Sequence, residues 1–155
     1  MRIPRVYIDT SVIGGCFDDE FSYWSKILVS NFKFKHFKPV LSDIVANEIN
    51  HAPTHVIKKY AEIISYGAEL LISNSQSAEL VKHYRSHKIL SDKFTDDMMH
   101  IALATIAEVD ILVSWNFKHI VHYDKIYQFN AINIKKGYKP LAIYSPREVA
   151  YEEKI

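Results

Sequence analysis

One cysteine, four glycines and five prolines are all that 155 residues contain. The lone Cys16 excludes an intrachain disulfide and suits a reducing compartment. So little glycine, in a chain that is 48% hydrophobic, argues for a packed globular protein rather than a disordered one. No repeat or low-complexity linker appears, and the length fits one domain spanning residues 1–155. Charge of one sign is missing too: 19 Lys and Arg face 18 Asp and Glu, so a polyanion would have to be met by a local patch. No apolar run approaches the ~18 residues of a membrane span, and MRIPRVYID is not a signal peptide. The expectation is a soluble, cytoplasmic protein with no membrane partner. Neither G-x-G-x-x-G nor G-x-x-x-x-G-K-[ST] occurs, which removes the glycine-loop signatures of dinucleotide and mononucleotide binding.

What is present is organised around residues 94–119, FTDDMMHIALATIAEVDILVSWNFKH. Thr95 is placed to cap a helix whose first turn carries Asp96 and Asp97, where acidic groups suit the positive helix end. Ile101, Ala102, Thr105 and Ile106 continue its apolar stripe. Asp110 marks a turn, and Ile111-Leu112-Val113 reads as a strand buried on both faces. The run stops abruptly at Ser114 and Asn116.

Before this stretch, Arg5–Ile8 is a strand with Asp9-Thr10-Ser11 at its carboxyl end, where open parallel sheets bind ligands. Asp9 either caps the next helix or needs a partner of its own. Phe21 to Phe32 is a helix with an aromatic stripe. NFKFKHFKP then reads as a helix end, its phenylalanines buried and its lysines solvated; an RNA-stacking surface is the alternative. Ser42 caps a helix in which Glu48 shares a face with Ile44 and Val45, an unusual place for an acid. Thr54–Tyr66 is an amphipathic helix stopped by Gly67, and Leu70-Leu71-Ile72 a strand. Ser75 or Ser77 opens a helix holding His83 and His87, a weak metal pair. Residues 121–134 give a short helix plus connection, Leu141–Tyr144 a last strand, and Ser145-Pro146-Arg147-Glu148 a capping box. This alternation predicts an α/β fold: a mostly parallel sheet of about five strands with helices on both faces.

Asp9, Asp97 and Asn116 then meet at one sheet edge, with Glu48 facing inward. Clustered carboxylates repel unless a cation shares the site. Oxygen donors without a Cys or His cluster favour Mg²⁺ or Mn²⁺ and, with them, phosphodiester hydrolysis.

These residues resemble, in order, the motifs of PIN-domain proteins, the small ribonuclease fold of VapC-type toxins. The match runs from Tyr7-Ile8-Asp9-Thr10-Ser11 through Asp97-Met98-Met99-His100-Ile101-Ala102 and Ile111-Leu112-Val113-Ser114-Trp115-Asn116 to Tyr144. The resemblance implies a three-layer α/β/α fold and a Mg²⁺- or Mn²⁺-dependent endoribonuclease, as the toxin of a type II toxin–antitoxin pair. It implies an RNA substrate, an antitoxin partner and a homodimer. Asp9, Glu48, Asp97 and Asn116 would be metal ligands and catalytic, Ser11 and Ser114 supporting hydroxyls. Asp96 would support the site, and Lys118 and His119 contact substrate, with His122 a further candidate. Two departures stand out: neutral Asn116 where the family often has Asp, and His119 where many relatives carry another acid. The first opens a rival reading, a catalytically silent scaffold that binds RNA or a protein. A phospho-acceptor or mononucleotide-binding domain is a second rival, weakened by the missing glycine loops.

Overall fold

The computed structural model describes residues 2–153. Its chain alternates β1 (Arg5–Ile8), α1 (Thr10–Gly15), α2 (Ser22–Lys33), β2 (Lys38–Ser42), α3 (Asp43–Ile49), α4 (Thr54–Ser65), β3 (Glu69–Leu71) and α5 (Ser75–Ser86). A single 3₁₀ turn, Asp92–Phe94, leads into α6 (Thr95–Ile106), followed by β4 (Ile111–Val113), α7 (Tyr123–Lys135), β5 (Ile143–Tyr144) and α8 (Pro146–Val149).

The five strands form one sheet in the order β3-β2-β1-β4-β5, and every pairing is parallel. β1 is the central strand, with Tyr7 opposite Val40 of β2 on one side and Leu112 of β4 on the other. Val6, Tyr7, Ile8, Leu112 and Val113 are inaccessible to solvent, as expected for apolar runs covered on both faces by helices. From β1 the chain builds outward through β2 and β3, then returns to add β4 and β5 on the opposite side. Strand order therefore reverses between β1 and β4. Their carboxyl ends, Asp9 and Ser114, open on the crevice such a reversal creates.

Several local expectations change. Thr95 does not cap α6: it is the first helical residue, and its hydroxyl donates to Asp92 O at 2.6 Å, bonding back into the 3₁₀ turn. Asn74, not Ser75 or Ser77, caps α5, accepting from Ser77 N at 2.9 Å while Ser77 Oγ accepts from Asn74 N. β3 begins one residue earlier than expected, and Leu70 and Ile72 are exposed because β3 is an edge strand. The short helix expected over 121–134 is a full helix of 13 residues. β5 shrinks to two residues because the Asn130 side chain holds both backbone groups of Leu141. Phe34 is 64% exposed, whereas Phe32 is buried: α2 ends at Lys33, and Lys35 turns the chain with φ 64°. Among the described residues no helix is long and apolar enough to cross a membrane.

Candidate active site

Asp9 occupies the N-cap position of α1, with extended backbone, but its carboxylate caps nothing. Ser11 Oγ donates to Oδ1 and Ser114 Oγ to Oδ2, both at 2.6 Å. Each hydroxyl also accepts a backbone N–H from the loop after β4: Trp115 N on Ser11 and Asn116 N on Ser114, both at 2.9 Å. The two serines thus lace the end of β1 to the β4 loop through one carboxylate. Asp9 is only 5% exposed, and burial pushes its pKa up against the pull of His100 and the two serine bonds. The capping explanation of Asp9 is set aside on these contacts.

Glu48, on α3, accepts from Thr10 Oγ1 at 3.0 Å and meets His100 Nε2 at 2.8 Å. An ionised carboxylate only accepts, so Nε2 carries the proton. The other nitrogen of His100, Nδ1, lies 2.6 Å from the Tyr7 hydroxyl, itself 2.7 Å from Ser42 Oγ. Ser42 also caps α3, accepting from Val45 N at 3.3 Å. A buried polar chain therefore runs from the start of α3 through β1 and α6 back to Glu48. Burial would lower the pKa of His100, but the Glu48 bond and the charges of Asp9, Glu48 and Asp97 outweigh it and raise it. Glu48 moves the other way: burial works to raise its pKa, and the His100 and Thr10 bonds, with the His100 charge, bring it down.

Asp97, in the first turn of α6, is partly exposed, and Oδ2 accepts from His119 Nδ1 at 2.9 Å. The His119 ring lies on Phe94, centroids 3.9 Å apart. Its backbone N–H donates to Asn116 Oδ1 at 3.0 Å, so the Asn116 amide closes the loop in which His119 sits. Beside these groups an open cleft of about 440 Å³ is lined by Ser11, Gly14, Gly15, Asp18, Phe21, Trp115 and Asn116. Phe21 stacks on Trp115 at 4.3 Å, and Trp115 Nε1 donates to Ser25 Oγ at 2.8 Å, which anchors the β4 loop to α2.

The comparisons agree with this architecture at the level of fold. No family model matches the sequence, and no curated protein matches it. Among solved structures it is similar to a chain in the crystal structure of VapBC2 from Rickettsia felis bound to a DNA fragment from their promoter. The match has a TM-score of 0.54 at 14% identity and covers 91% of this chain and 98% of that one. The fold is PIN-like.

On this PIN-like frame Asp9, Ser11, Ser114, Asn116, His119 and Asp97 form one continuous hydrogen-bonded set. Glu48 joins from the other side through Thr10 and His100. Asp96, Lys118 and His122 are exposed and outside these contacts. His83 faces Glu79 at 3.5 Å, and His87 Nδ1 turns to His83 O, so that histidine pair does not converge. Sequence reasoning missed His100 as the link between Glu48 and Tyr7; its trace was a polar side chain at an inward position of α6. His119 is engaged with Asp97, an arrangement with no local sequence trace.

The donor set suits a hard cation: oxygen groups only, with Oε2 of Glu48 and Oδ1 of Asp97 in no hydrogen bond among the described residues. Among the described residues no three acidic, histidine or cysteine side chains stand close enough to cage an ion. Mg²⁺ does not need such a cage, because it keeps several waters and is held by one or two carboxylates together with substrate phosphate. The residues present fit an ion of that kind.

Proposed function

We propose that this chain is a Mg²⁺- or Mn²⁺-dependent endoribonuclease, the toxin of a type II toxin–antitoxin pair. The observation that carries this reading is the hydrogen-bonded set at the strand-order reversal, which links Asp9 to Asp97 through Ser114, Asn116 and His119, with Glu48 joined through Thr10 and His100. Asp9, Glu48 and Asp97 would hold the ion in part through the waters it keeps, with the Asn116 amide beside them. Bound there, such an ion supplies an activated water and shields charge developing on a phosphate. Ser11 and Ser114 fix the Asp9 carboxylate so that it neither rotates nor caps α1. Thr10 and His100 orient Glu48. Exposed Lys118, two residues after Asn116, is the proposed contact for the RNA backbone. An antitoxin partner and a homodimer belong to the same reading; the similar R. felis structure is a VapBC2 complex.

The decisive experiment is cleavage of a mixed, end-labelled RNA pool by wild type and Asp97→Asn, with Mn²⁺, Mg²⁺ or EDTA. Wild type should cut only with metal, and Asp97→Asn should not cut while melting as wild type does. Full activity of the variant would sink the assignment. A silent scaffold is the second reading, favoured by neutral Asn116 spending its Oδ1 on the His119 loop. Calorimetric Mn²⁺ titration separates the two, since absence of binding near millimolar metal supports the scaffold.

A further inference from the structure

We infer that His119 is a positioning residue: its Nδ1–H aims the Asp97 carboxylate and ties it to Asn116. The inference rests on the metal-site reading above and assigns a role to a residue expected to contact substrate.

Three observations carry it. First, Nδ1 of His119 lies 2.9 Å from Asp97 Oδ2, and a carboxylate can only accept, so the proton is on Nδ1. Second, the imidazole is not free to move: its side chain is only 12% exposed and rests on Phe94, the residue just before α6. Third, the backbone of the same residue is bound by Asn116 Oδ1. One residue therefore holds Asp97 by its ring and Asn116 by its main chain. It sets the distance between the α6 start and the β4 loop, which no other described hydrogen bond spans directly. Asp97 needs such a holder. It sits in the first turn of a helix that lacks a side-chain cap, with one oxygen in no hydrogen bond among the described residues. Fixing Oδ2 directs Oδ1, the oxygen left for a ligand. Carboxylates that bind metal are commonly oriented this way, and loss of the orienting partner typically lowers affinity or activity 10–100-fold.

Two substitutions divide the bond from the packing. His119→Phe keeps a ring against Phe94 and loses the donor. His119→Asn gives up the ring and keeps an N–H near the position of Nδ1. Mn²⁺ affinity is measured by calorimetry on all three proteins, alongside thermal melts in EDTA. His119→Phe should bind Mn²⁺ about 10- to 100-fold more weakly than wild type while melting close to it. His119→Asn should stay within a few-fold of wild type. Unchanged or tighter binding by His119→Phe overturns the inference, because the imidazole would then be idle or competing with the ion. Equal loss in both variants overturns it as well, leaving only packing. If wild type binds no Mn²⁺, the metal reading fails and the bond is judged separately from ¹⁵N shifts of the metal-free protein. A proton on Nδ1 of His119 that is lost from that nitrogen in Asp97→Ala upholds the aiming bond; an Nε2–H tautomer in wild type overturns it.

Discussion

His100 lies inside the protein with both ring nitrogens bonded, and its charge is favoured by carboxylates on three different elements. Its folded pKa is raised above the ordinary 6.5, so the protonated form contributes stability that is complete below pH 6.5. That contribution is lost as pH rises through the folded value. Glu48 works at the acid end: its lowered pKa gives stability present above 4.5 and lost as pH falls through the folded value. Asp9 opposes both. Its raised pKa means that ionisation above 3.8 costs the folded state more than the unfolded chain. In EDTA, the melting temperature of wild type should therefore decline from pH 6.5 into the mildly alkaline range. In His100→Gln this decline should flatten, since the amide can still reach Glu48 but carries no titrating charge. Differential scanning calorimetry over a pH series tests it, and parallel curves for the two proteins would show that the neutral ring is bound as well as the charged one.

At the scale of elements, the loop after β4 owes its place to α1 and α2. Gly15 is the point of closest approach: a methyl group there would stand 2.7 Å from Ser25 Oγ and 2.8 Å from Trp115 Nε1. Neither atom can yield easily, since the two are bonded to each other and Ser25 also donates to Val12 O at 2.8 Å. Gly15→Ala should destabilise by about 1–3 kcal/mol, as overpacking usually does, read from the urea midpoint. It should also displace Trp115, whose backbone N–H is held by Ser11, and so, on the proposed function, lower RNA cleavage more than stability alone predicts. An unchanged cleavage rate at saturating metal would show that the loop is placed from elsewhere.

These same elements mark what a sequence can and cannot say. The apolar runs of β1 and β4, the Ser42 cap and the Ser145–Glu148 capping box are local patterns, and all were readable. Thr95 misled because a cap depends on the backbone before it, and the 3₁₀ turn of 92–94 feeds straight into α6. Phe34 misled because its neighbours, alternating lysine and phenylalanine, look the same whether the helix stops at residue 33 or runs on. Asp9 and Asp97 were visible as strand-end and helix-start residues, and Glu48 as an acid on an apolar helix face. The partners of those acids were not, because His100 meets Glu48 across 52 residues and His119 meets Asp97 across 22.

For the molecule as a whole, an ion that binds only the folded site adds to global stability. At a hundred times its dissociation constant, Mn²⁺ should add about 2.7 kcal/mol and raise the melting temperature by roughly 5–10 °C. Asp97→Asn should lose that increment while keeping its melting point in EDTA. A shift of equal size in both proteins would place the bound ion away from Asp97.

The central position of β1 has a consequence in time. Asp9 leaves the ribosome more than a hundred residues ahead of Ser114, which holds its carboxylate, and of Trp115, which holds Ser11. At 5–20 residues per second, synthesis of that interval takes roughly 5–20 s. Until β4 emerges, β1 lacks one of its two neighbours, and Asp9 lacks the Ser114 hydroxyl and the loop that frames it. A nascent chain cut short before Ile111 would carry Asp9, Glu48 and Asp97 without the β4 loop that frames them.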